Sequence, residues 1–103
     1  MTTIKIRAKI KNDITTVKAL INHPMETGLR KDKETGKDIP AHHITEVNAE
    51  YNGNTVMTAN WGPAISKNPY LSFKFKGGVA GENVKLSWID NRGESDSLKA
   101  KIK

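Results

Sequence analysis

The sequence contains no cysteine. That excludes disulfides, thiolate metal centres and a cysteine nucleophile within the chain. It leaves the compartment open, because disulfides are common outside the cytosol but not obligatory there. Aromatic residues are few, two each of Trp, Tyr and Phe, too few to line a base-stacking platform for nucleic acid. No apolar run approaches the roughly 20 residues a membrane span needs. The opening stretch, MTTIKIRAKIK, puts a charge at every second position from Lys5 onward. It has no apolar h-region and no small-residue cleavage site, so no signal peptide is expected there. Taken alone, that points to the cytoplasm.

Catalytic signatures are also scarce. Ser66, Ser72, Ser87, Ser95 and Ser97 sit in no G-x-S-x-G elbow, and no histidine is placed by sequence to serve them. KGGVAGE is a lone glycine cluster without the pattern of a phosphate loop. Asp90, Glu94 and Asp96 gather near a turn and read as solvated turn residues.

What is present is β-patterning. The 103 residues make one domain, 1–103, long enough for one core. Charged residues make up 27% and mean hydropathy is −0.60, as in a globular protein with a wet surface. In IKIRAKIK, Ile4, Ile6, Ala8 and Ile10 fall on one face and Lys5, Arg7, Lys9 and Lys11 on the other, the period of a strand with one buried side. Asn12-Asp13 turns the chain into a second strand over about 15–22. There Val17, Ala19 and Ile21 share a face, and Leu20 points the other way, toward a face that is also partly covered. Further strands are expected over 41–51, 54–61, 70–76, 83–90 and from about 98 to the end. Asn52-Gly53 suits a two-residue type I′ hairpin, since both residues tolerate positive φ. PAISKN could form one helical turn. Seven strands with regular turn signals and no amphipathic helix predict an all-β, immunoglobulin-like sandwich of antiparallel strands.

The net charge of +6 raises the question of an acidic partner. Lys5, Arg7, Lys9, Lys11, Lys99, Lys101 and Lys103 would form one basic ridge if the terminal strands lie side by side. Such a ridge either protects a sheet edge from aggregation or docks acidic partners. Nucleic acid and membrane are not expected as partners.

Between the second and third strands lies a long polar loop, 23–40, which opens HPMETGLRKD. Long loops in compact domains are usually functional or mobile. His23, Met25, His42 and His43 invite a copper reading, because imidazole and thioether are copper ligands. Against it, His42 and His43 are consecutive and face opposite sides of a strand, so at most one could join His23. The plainer reading is surface histidines beside a loop, with no metal and no cofactor. As a recognition surface, the loop offers Met25 and Leu29 as apolar anchors and Arg30 as a planar five-donor group. Met25 and Leu29 could equally pin the loop to its own sandwich.

HPMETGLRKD followed by IP, then YNG, PAISKNPYLSF and WIDNRG, resembles the SoxZ family, the Z subunits of the Sox sulfur-oxidation system. The resemblance runs from about Ile4 to Ile102. It implies an immunoglobulin-like fold and a non-catalytic subunit that binds no cofactor. It implies a heterodimer with a SoxY-like chain, whose cysteine on a flexible C-terminal arm covalently carries sulfur intermediates of thiosulfate oxidation. Other Sox enzymes would meet that carrier transiently. Without its partner the chain is expected to self-associate, since an unsatisfied interface stays exposed. It also implies a periplasmic location, reached by export with the partner, which reverses the first compartment reading. The expected partner-binding residues, inferred from motif and chemistry, are His23, Met25, Glu26, Leu29, Arg30, Pro69 and Tyr70, with no catalytic residue among them. Pro69 and Tyr70 could equally be a turn and a core aromatic. Alternatives are a stand-alone immunoglobulin-like binding module and a small copper-binding β-sandwich.

Overall fold

A computed structural model describes residues 3–62 and 65–103. Seven strands follow in order: β1 (Ile4–Lys11), β2 (Ile14–Ile21), β3 (Ile44–Tyr51), β4 (Asn54–Asn60), β5 (Tyr70–Lys76), β6 (Asn83–Asp90) and β7 (Ser95–Lys101). They form a three-stranded sheet, β1-β2-β5, and a four-stranded sheet, β4-β3-β6-β7, with every paired neighbour antiparallel. This is the all-β sandwich that the alternation predicts. Of PAISKN, Pro63 and Ala64 lie outside the described residues, and Ile65 to Asn68 are irregular rather than helical.

The inward rows are the expected ones. Ile4 and Ala8 from β1, Val17, Ala19 and Ile21 from β2, and Val84, Leu86 and Trp88 from β6 are buried, with Leu71, Phe73 and Phe75 of β5 half-buried against them. A period of two fixes this outcome, because a one-residue slip would turn each of these side chains to water. Asn52 and Gly53 have φ of 51° and 77°, which gives the β3–β4 hairpin its left-handed turn. Asn12 and Asp13, at 52° and 65°, do the same between β1 and β2.

The two sheets are joined at one margin. Ile102 makes a parallel bridge to Ala8. The Lys103 N–H donates to the Ala8 carbonyl at 3.0 Å, and the Ile10 N–H donates to the Lys103 carbonyl at 3.0 Å. The chain termini therefore do lie side by side. Gly78 fits this margin closely, since a Cβ there would lie 2.3 Å from Thr15 Oγ1. Leu20 does point away from the core, but it is 40% exposed and no described element covers it.

Candidate functional site: the buried histidine–aspartate hub

Three inward rows converge at one end of the sandwich. β2 buries Thr15, Val17, Ala19 and Ile21, and the next residue in that rhythm is His23. β6 buries Val84, Leu86 and Trp88, and the next is Asp90. β3 begins its buried row at Ile44, and two residues earlier stands His42. His23 and Asp90 are each 3% exposed. The aspartate is thus not a solvated turn residue, and His23 is not a surface histidine. The same count of two that places the core residues also places these polar ones inside.

Asp90 is the hub. Its Oδ2 accepts from His23 Nε2 at 3.1 Å and from His42 Nε2 at 2.8 Å. Its Oδ1 accepts the backbone N–H groups of Arg92 at 3.0 Å and Glu94 at 2.9 Å. Burial alone would raise this carboxyl. The hydrogen bonds from His23, the Glu94 N–H, His42 and the Arg92 N–H outweigh burial and hold it below the ordinary aspartate value. His23 stands edge-on to His42, with ring centroids 4.6 Å apart, and edge-on to Trp88 at 5.1 Å. Trp88 Nε1–H in turn donates to Thr3 Oγ1 at 3.0 Å.

The hub closes both ends of the long loop onto the body. At its start, the Met25 N–H donates to His23 Nδ1 at 3.1 Å, and Met25 Sδ accepts the Ile44 N–H at 3.3 Å. Met25 is buried and takes a left-handed φ of 50°, uncommon outside glycine. At the loop's end, Asn91 Oδ1 accepts the His43 N–H and Asn91 Nδ2 donates to the Ala41 carbonyl, each at 2.8 Å. Glu26 and His42 exchange both backbone hydrogen bonds across the neck. Beyond it the loop runs as an irregular hairpin that turns between Asp32 and Lys37.

The expected contact residues therefore divide by place. His23, Met25 and Pro69 are buried. Leu29 is 88% and Tyr70 61% exposed, so Tyr70 is not a core aromatic. Arg30 is exposed and forks onto Glu26, with Nε donating to Oε2 at 3.1 Å and the terminal nitrogen to Oε1. That bond, more than any other influence, lowers the Glu26 carboxyl. Pro24, Thr27 and Lys67 line the same shallow pocket as Met25, Glu26 and Arg30. Tyr70 follows Asn68-Pro69, which are tied to His23 and Ile21 by backbone hydrogen bonds, so it borders the loop.

One ligand atom each from His23, His42 and Asp90 lies within 4.8 Å of the others, close enough to surround a cation. The hydrogen bonds argue otherwise. His23 Nδ1 faces a backbone N–H and must present its lone pair there. Its proton then sits on Nε2, where it points at Asp90. A metal on Nε2 would move the proton to Nδ1 and set two donors against each other. As it stands, the arrangement is built around the Asp90 carboxylate, to which both imidazoles donate.

The family model for "Sulphur oxidation protein SoxZ" matches residues 4–101. The chain belongs to the SoxZ family. Two of the stretches that carry the resemblance, HPM and WIDN, are the hub itself: His23 and Met25 from one, Trp88, Asp90 and Asn91 from the other. No curated protein matches the sequence. Among solved structures, a superoxide reductase (neelaredoxin) from Ignicoccus hospitalis superimposes with a TM-score of 0.62 at 17% identity, over 99% of this chain and 81% of that one. At that identity the likeness is one of fold.

Proposed function

We propose that this chain is the non-catalytic half of a periplasmic sulfur carrier. Its partner is a SoxY-like chain that bears the sulfur on a cysteine. The observation that carries this reading is the family match over nearly the whole chain. Two features support it. A chain with no cysteine cannot divert a thiol-bound sulfur intermediate into a mixed disulfide, an exchange that any nearby thiolate would undergo. The polar cluster at the loop neck is spent on structure, since each Asp90 oxygen already accepts two hydrogen bonds. In this reading His23, Met25, Glu26 and Pro69 hold the loop and the approach to β5 in place, and Leu29, Arg30 and Tyr70 meet the partner.

Co-expression with a SoxY-like chain tests it. A stable one-to-one heterodimer is expected, with sulfur adducts on the partner's cysteine and none on this chain. Two chains that stay apart at micromolar concentration would refute the reading.

A further inference from the structure

The outer face of β1-β2-β5 carries charge of one sign. β1 presents Lys5, Arg7, Lys9 and Lys11, all exposed. The central strand adds Lys18, and β5 adds Lys74 and Lys76. The other outward residues of these strands are Ile14, Thr16, Leu20, Tyr70 and Ser72, so no carboxylate shares the face. Among the described residues none of these cations makes an ion pair. The outer side of the other sheet is mixed, with Glu50 beside Lys85 and Lys99.

Edge protection does not account for this. Lys18 lies on the middle strand, directly opposite Arg7 in the pairing register, and like charges in that position destabilise a sheet. Along Ala8 to Ile10, moreover, the β1 edge is already covered by Ile102 and Lys103. A cost accepted in the free protein points to a bound state that relieves it.

We propose that this face docks the acidic surface of an enzyme that acts on the carried sulfur, as a transient encounter rather than a permanent joint. The proposal rests on the carrier reading above. Lysine is depleted at the cores of stable interfaces, whereas charged faces steer fast, salt-sensitive association. Leu20, exposed at the end of β2 nearest the loop and paired with Lys5 of β1, supplies an apolar anchor that orients the docked protein. A folded protein can use both the anchor and the charge; a nucleic acid uses the charge alone.

The test uses the heterodimer with its cysteine-bearing partner in a reconstituted thiosulfate-oxidising system. Lys18→Glu places a carboxylate opposite Arg7, so the variant should melt no lower than the parent. Its kcat/KM as carrier should fall about tenfold at low ionic strength, through KM, and the difference should vanish in high salt. Lys85→Glu/Lys99→Glu, on the other sheet, should leave turnover unchanged. Parent-like kinetics of Lys18→Glu at every salt concentration, with the heterodimer intact, would overturn the docking face and leave the carrier reading standing. Loss of the heterodimer in Lys18→Glu alone would assign the face to the permanent partner and overturn the proposal. So would duplex DNA binding by the parent heterodimer at about 150 mM salt that Lys18→Glu abolishes. Failure of the parent chains to pair at all would strike the carrier reading itself.

Discussion

His23 and Asp90 stand 67 residues apart in the sequence and meet at 3.1 Å inside the protein. Each sits one step beyond a strand's buried apolar row, so the sheet pairing that builds the core also brings them together. The contact fastens the loop to the sandwich.

Removing the carboxylate should loosen that fastening. Asp90→Asn leaves an amide where four donors converge, so at least one donor loses its acceptor. The expected loss is about 3 kcal/mol, in the range for buried hydrogen bonds and broken buried pairs. Urea unfolding measures it. Hydrogen exchange should show faster opening at Met25, His43 and Ile44 than in the rest of β3. A loss below about 0.5 kcal/mol would mean the hub contributes little.

Acid should act through the same group. The folded Asp90 carboxyl lies below its ordinary value. Its stabilising contribution is therefore fully present above the unfolded value of about 3.9 and is lost as pH falls through the lower folded value. Melting temperature measured from pH 6 down to pH 2 should decline below about pH 4, and less steeply in Asp90→Asn. Equal slopes in both proteins would place the acid sensitivity elsewhere.

The loop residues should separate by burial. Met25→Ala removes a buried side chain that receives a backbone hydrogen bond and should cost about 2–5 kcal/mol. Leu29→Ala and Arg30→Ala should melt with the parent, since both side chains face water, and should weaken the heterodimer instead. If Met25→Ala is harmless to stability, the loop is not pinned as described.

The histidine tautomer is open to direct observation. Nitrogen-15 NMR should show His23 with its proton on Nε2 and an unprotonated Nδ1. Added zinc or cupric ion should leave that ring unmoved. Saturable one-to-one binding below micromolar concentration, with His23 Nε2 as ligand, would restore a metal reading.

Much of this was legible in the residues. Alternation in IKIRAKIK, YLSFKFK and NVKLSWID gives the strands and their inward faces, and Asn52-Gly53 gives a hairpin, because period and turn chemistry are local. The hub is harder to see in the sequence, although its signal is there: Asp90 continues the row of Val84, Leu86 and Trp88, and His23 the row of Val17, Ala19 and Ile21. A charged residue at a strand end reads as solvated unless its partners are known, and those partners come from segments far along the chain. The charge of the β1-β2-β5 face was half visible. The lysines of β1 alternate plainly, but Lys18 joins them only through the register with Arg7.

The most direct test of the central claim is mass spectrometry of the purified heterodimer after incubation with thiosulfate and the sulfur-attaching enzyme. All added sulfur mass should sit on the partner's cysteine-bearing peptide, with this chain recovered at its unmodified mass. Sulfur on this chain, or turnover by this chain without its partner, would contradict the account.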